Sequence, residues 1–241
     1  MRRRDFLASG IALAVTSVLE ARADTAPANE AARARALYDA IFEELLDVSP
    51  QTVTTLGLDA GPRAAARSRL DDRSPAGRMN VLGPLANALP RLQAIDAGSL
   101  SGRDRSDLAT AVWVARISRE IEAQPIGAID SYNFPIPYVV SQLTGAYQST
   151  PDFLDTQHPI ESATDAEAYL ARLEAFAREV VHDTGRGRDD LKRGIVPPDF
   201  IADKTLALLK MLRGQSGEKS GLVTSLARRT GEKGIAGEWG P

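Results

Sequence analysis

An all-α fold, a multi-helix array, is the class this sequence predicts, and three features predict it. First, hydrophobic residues make up 43% of 241 and aromatics only 5%, so Ala and Leu must fill most of the core. These side chains lose little rotamer freedom in a helix. Second, apolar residues recur with the 3.6-residue period of an amphipathic helix in several separate stretches. Third, no segment alternates apolar and polar residues convincingly over strand length.

The elements follow in chain order. Residues 24–31 read as a flexible leader. Beyond them Leu37, Ile41, Leu45 and Val48 share one helical face, flanked by Phe42 and Leu46. Ser49-Pro50 starts a short helix, with Ser as N-cap and Pro at the first helical position, and Gly57 ends it. Thr52–Thr55 could instead be a strand, without a partner nearby. The Arg-rich stretch Gly61–Ser74 reads as a loop with one helical turn. Ser74-Pro75 opens another helix, which Gly83-Pro84 and Pro90 should break or bend. A helix over Asp104–Gln124 carries Trp113, Val114, Ile117 and Ile121 on one stripe. Thr164-x-x-Glu167 reads as a capping box opening a helix to His182, with Tyr169, Leu173, Phe176 and Val180 at heptad spacing. Asp189–Arg193 adds a turn. Pro197-Pro198-Asp199 starts a helix bearing Ile201, Leu208 and Leu212, and a Gly/Ser-rich link leads to a last helix near Leu222–Arg229.

The N-terminus carries an export signal. Arg3-Arg4-Asp5-Phe6-Leu7 fits the twin-arginine pattern, an apolar run spans Ala8–Leu19, and Ala21-Arg22-Ala23 offers an A-x-A cleavage site. The run is too short to cross a bilayer, which takes about 20 apolar residues. Cleavage after Ala23 would leave a periplasmic or secreted chain with no stable membrane anchor, delivered by the twin-arginine export machinery. The formal net charge is −3. Cleavage removes Arg2, Arg3, Arg4 and Arg22 against only Asp5 and Glu20, so the mature part is more acidic still. That balance argues against nucleic acid as a partner. There is no cysteine, which excludes disulfides, zinc ribbons and thiol catalysis.

The sequence holds two histidines, the residues best suited to metal or acid–base chemistry. Zinc peptidases of the common type place H-E-x-x-H on a helix, two imidazoles on one face with a general-base Glu between them. The nearest approach is Arg178-Glu179-Val180-Val181-His182, where an arginine stands in the first ligand's place. Glu179-x-x-His182 could be half of a di-iron carboxylate site, but no second copy exists. His182 therefore reads as a cation near a helix C-terminus, favoured by the dipole. Asp152 and Asp155 read as first-turn acids of a helix capped by Thr150. No Gly-rich phosphate loop and no G-x-S-x-G occurs. The expectation is no catalytic residue, no metal ligand and no cofactor in this chain.

One block has the composition of a binding wall: Tyr132 to His158, dense in aromatics, amides and stiffening prolines. An inter-helix loop packing its rings into the core has the same composition. The segments Pro137-Tyr138-Val139-Val140-Ser141-Gln142-Leu143-Thr144-Gly145-Ala146-Tyr147, Pro151-Asp152-Phe153-Leu154-Asp155 and Gln157-His158-Pro159-Ile160 resemble the secreted bacterial family called domain of unknown function 885. So do Asp165–Leu173, Gly194-Ile195-Val196-Pro197-Pro198-Asp199-Phe200, and Ser49-Pro50 followed by Leu56-Gly57-Leu58. The likeness runs over residues 32–241.

The resemblance implies the N-terminal part of a larger helical, zinc-dependent, peptidase-like fold. The family's metal motif is an H-E-x-x-H variant with Pro-Gly before the second His, in the C-terminal half. No position here matches it, so zinc is expected only beyond Pro241. On this reading the chain is a truncated, inactive wall of a hydrolase cleft whose substrate is a peptide. Tyr138, Gln142, Tyr147 and His158 are the residues expected to face that cleft. The alternative is a non-enzymatic periplasmic helical module that binds a peptide or a partner.

Overall fold

The structure is a computed structural model, and it describes residues 25–124, 126–129, 135–215 and 217–240. The twin-arginine pattern, the A-x-A site and Tyr132–Phe134 lie outside them. The all-α expectation holds. Eight α-helices among these residues carry the fold, with one antiparallel pair of two-residue strands, β1 (Ala128–Ile129) and β2 (Pro135–Ile136).

Three helices make the first layer: α1 (Thr25–Val48), α3 (Pro75–Gln93) and α4 (Gly102–Glu122). Helix α1 starts inside the stretch expected to be a flexible leader. Ala34, Ile41, Ala88, Leu89, Leu92, Leu108 and Ala115 form their shared core. Helix α3 runs unbroken through Pro84 and Pro90, contrary to the expected break. An interior proline removes a hydrogen bond and crowds the preceding turn. Burial of Leu82, Ala86, Ala88, Leu89 and Leu92 along the face toward α4 outweighs that penalty. Ser74 caps α3 as expected, its Oγ accepting from the Gly77 amide at 3.0 Å. Ser49 precedes α2 (Pro50–Thr55) without a side-chain capping bond, so Pro50 at the first position supplies the start signal.

The second layer holds α5 (Ala146–Thr156), α6 (Ala163–Lys192) and α8 (Gly221–Glu232), around Phe153, Leu154, Ile160, Ala166, Tyr169 and Leu226. Helix α5 begins one turn before the expected cap at Thr150. Gly145, at φ 111°, turns the chain in a way few side chains tolerate, and the Ala146 amide donates to Asp183 Oδ2 at 2.6 Å. The capping box of α6 is Ser162 with Asp165, not Thr164 with Glu167. The Asp165 amide donates to Ser162 Oγ at 3.3 Å, and the Ser162 hydroxyl donates back to Asp165 Oδ2 at 2.9 Å. Asp165 is selected because its other oxygen accepts from Arg67 Nη1 at 2.6 Å.

Helix α6 does not end at His182. It continues through Gly185 and Gly187 to Lys192, although each interior glycine costs about 1 kcal/mol against Ala. Asp183, Arg186 and Asp190, on one face, hold this extension by bonds to other segments. Helix α7 (Asp199–Arg213) lies outside both cores, and Phe200, Leu206 and Met211 on it are exposed.

Candidate functional site

The spine of the site is one face of α6. Asp165, Tyr169, Arg172, Phe176, Glu179, Asp183, Arg186 and Asp190 follow at alternating spacings of four and three, the pattern that keeps side chains on one stripe. Apart from two aromatics the stripe is polar. Burial forces each charged group to find partners. Arg67 joins Asp165 to Asp59, with Asp59 Oδ1 at 2.8 Å. Arg73 Nε reaches both oxygens of Asp183 at 2.9 Å, and the Arg73 amide donates to Glu179 Oε2 at 2.8 Å. The Gly127 amide donates to Asp190 Oδ2 at 2.9 Å.

Where α6 meets the first layer lies a cavity of about 500 Å³ lined by both charged and apolar residues. Gln51 and Thr52 of α2, Asp71, Asp72 and Arg73 of the following link, Arg78 of α3 and Arg186 of α6 line it. Ile136, Leu143, Thr144, Gly145 and Ser149 close one side. These five residues come from the block singled out by composition, and none of them is one of its aromatics.

Two guanidiniums in this wall make no hydrogen bond to a carboxylate among the described residues. Arg78, 8% exposed, donates through Nη2 to the carbonyls of Ile121, Gln124 and Ile126 at 3.1, 2.7 and 3.4 Å, which caps the C-terminus of α4. Its Nε is buried without a partner. Arg186 donates to the carbonyls of Arg73 and Gly127. Burial lowers the pKa of both guanidiniums. Across the cavity Asp71 accepts from the Gln51 amide, and loss of hydration pushes its carboxyl up to about 6.

The four residues expected to face a cleft sit differently. His158 is 1% exposed and interior. Its Nδ1 lies 2.6 Å from Arg172 Nη1, a pure donor, so Nδ1 accepts and Nε2 carries the proton donated to the Asp165 carbonyl at 2.9 Å. The ring stands edge-on to Tyr169, centroids 5.4 Å apart. Burial, helped by the repulsion of Arg172 and Arg229, lowers its pKa to about 4, so it stays neutral at pH 7. Tyr147 is also buried, and its hydroxyl donates to the Ser141 carbonyl at 2.6 Å, closing the turn in which Ser141 and Thr144 pair. Both point into the protein, a correction that burial and saturated hydrogen bonding impose. Tyr138 is half-buried beside that turn, and its carbonyl accepts from Thr144 Oγ1 at 3.0 Å. Gln142 is half-buried, with Oε1 enclosed and without a hydrogen bond among the described residues. Neither lines the cavity.

Asp71, Asp72, Arg73, Arg78 and Arg186 carry no motif that marks them in the sequence. The signal available was the polar stripe itself, visible once the helix is carried through Gly185 and Gly187. The cavity lining holds no histidine among the described residues. Donor atoms of Asp72, Glu179 and His182 converge beside it, within 4.8 Å of one another.

No curated protein matches the sequence. Among solved structures, the putative lipoprotein from Colwellia psychrerythraea has the same fold over 84% of this chain, with a TM-score of 0.71 at 18% identity. The match covers 35% of that chain, so the sequence spans about a third of its length. The family model described as bacterial protein of unknown function (DUF885) matches residues 50–238, and with most of its described helices and its cavity inside that range, the chain belongs to this family.

Proposed function

We propose that this chain is the substrate-binding wall of an exported, peptidase-like hydrolase and supplies no bond-cleaving group. The observation that carries this reading is the cavity between α2, α3 and α6. The guanidiniums of buried Arg78 and half-buried Arg186 donate only to main-chain carbonyls, with no hydrogen bond to a carboxylate among the described residues. A peptide's terminal carboxylate is the group that would complete them, because planar guanidiniums match a carboxylate's two oxygens. Ala-Ala-Ala and its C-terminal amide test this by titration calorimetry. The free acid should bind, the amide at least tenfold more weakly, and Arg186→Met should remove the difference. Equal binding of acid and amide, or binding of neither, overturns the reading.

A second reading, a helical module that docks a partner, is favoured by the outer face of α7, where Phe200, Leu206 and Met211 are 61%, 52% and 62% exposed. On that reading the cavity is incidental and the acid and amide peptides behave alike.

One comparison is in keeping with an exported setting. The structural neighbour is itself described as a putative lipoprotein. No helix among the described residues is long and apolar enough to cross a membrane. The proposed route is twin-arginine translocation, governed by Arg3 and Arg4. Changing both to Lys should leave the precursor uncleaved in the cytoplasm, as fractionation and immunoblotting would show. Undiminished periplasmic delivery of the double variant counts against the route.

A further inference from the structure

We propose that Asp72, Glu179 and His182 form a zinc-binding site at the rim of the cavity, with the remaining coordination positions left to water. Glu179 and His182 are one turn apart on α6, so their side chains share a face. Asp72 comes from the link before α3, and only the packing of that link on α6 brings it there. Donor atoms of the three lie within 4.8 Å of one another. Ligands of a tetrahedral zinc stand ~3.4 Å apart at its usual bond lengths, so a small rotation of the exposed Asp72 and half-buried His182 completes the triangle.

The charge balance supplies the independent reason. Glu179 is 8% exposed, yet it takes part in no salt bridge among the described residues. Among the described residues its single hydrogen bond comes from the Arg73 amide to Oε2, and Oε1 accepts none. The guanidinium of Arg73, the residue whose amide bonds Glu179, is engaged with both oxygens of Asp183. A carboxylate so buried ordinarily has a cation or a metal as partner. His182 makes no hydrogen bond among the described residues, which leaves both ring nitrogens available. Asp72 Oδ1 accepts from the Ser74 amide at 2.8 Å, and Oδ2 has no hydrogen bond among the described residues. A side chain at position 77 would collide with Asp72, since a Cβ on Gly77 would lie 2.0 Å from its carbonyl oxygen and 2.5 Å from its Cγ.

The donor set indicates which ion. One imidazole with two carboxylates suits zinc and its transition-metal neighbours better than calcium or magnesium, which prefer all-oxygen shells. Three protein ligands are the number found where zinc keeps an open position for water. This site differs from the absent H-E-x-x-H type, because one ligand lies more than a hundred residues before the other two.

Titration calorimetry of the mature chain with ZnCl2 at pH 7.5 tests the proposal, with cobalt absorption spectra as the second readout. One zinc per chain should bind. His182→Ala should abolish the stoichiometric site, and Glu179→Gln and Asp72→Asn should each weaken it at least tenfold. His182 is half-buried and unbonded, so its removal should leave the circular dichroism melt unchanged in the absence of metal. A cobalt d–d spectrum of nitrogen–oxygen coordination, lost in His182→Ala, is the expected signature. Absence of stoichiometric binding, or a zinc that His182→Ala retains at full affinity, overturns the proposal.

Discussion

Replacing Arg172 with Met is expected to destabilise the chain by roughly 3–5 kcal/mol, the scale for breaking a buried charged network. Arg172 is fully buried, and one guanidinium ties several segments together. Nε donates to the Arg69 carbonyl at 2.9 Å, and Nη2 donates to Thr54 Oγ1 at 2.6 Å and the Ala66 carbonyl at 3.0 Å. Nη1 donates to His158 Nδ1 at 2.6 Å, and the group lies 4.7 Å from the centre of the Phe153 ring. Burial lowers its pKa to about 10, with Asp59 and Asp71 acting against that shift, so it remains a cation at neutral pH. Methionine fills a similar volume and leaves these acceptors without donors, at about 1–3 kcal/mol for each buried group left unmet. Relief from desolvating the guanidinium offsets part of that sum. Arg172→Lys should do little better, because a compact ammonium cannot spread donors over the same directions. Urea unfolding measures both variants. A loss under about 1 kcal/mol for Arg172→Met would show that the network is replaceable by packing.

Stability should change little between pH 6.5 and 4 in the wild type and fall by ~3 kcal/mol over the same range in Asp71→Asn. Two buried groups act in opposite senses. His158 takes its proton near 6.5 when unfolded and only near 4 when folded. Between those values the unfolded chain binds more protons, so acid destabilises the fold. Asp71 has its folded pKa raised from 3.8 to about 6. Here the folded chain binds the proton first, and acid stabilises it over nearly the same interval. The carboxylates of Asp59 and Asp165 have lowered pKa values despite burial, owing to Arg67, so their contribution is lost only below the interval. Asparagine at 71 keeps an oxygen for the Gln51 amide and removes the titration, which exposes the histidine alone. The effect corresponds to roughly 6–12 °C in melting temperature for a chain of this size. A melt of Asp71→Asn as flat with pH as the wild type would show that His158 does not resist protonation in the fold.

What the sequence determined by itself was the list of helices and the family. Leu37, Ile41 and Leu45 mark an apolar face by period alone, because a local repeat needs no knowledge of the rest of the chain. On α4 the stripe of Trp113, Val114, Ile117 and Ile121 is not the packed one: Trp113 is 60% exposed, and Leu108 and Ala115 enter the core instead. Ser74-Pro75 and Pro197-Pro198-Asp199 located helix starts for the same reason, since their signals are complete within a few residues. Prolines 84 and 90 misled, because their penalty is local while the burial that outweighs it comes from distant segments, and the extension of α6 past His182 likewise rests on hydrogen bonds from distant segments. The tertiary structure alone decided that the buried face of α6 is polar. Period shows that Glu179, Asp183, Arg186 and Asp190 share a stripe, but acids and arginines on a stripe ordinarily face water. Only the placement of Arg73, Gly127 and Ala146 against that stripe gives those charges partners and makes burial tolerable. The same placement takes His158 inside with Arg172 and sets Asp72 beside Glu179 and His182, pairings that no spacing along the chain encodes.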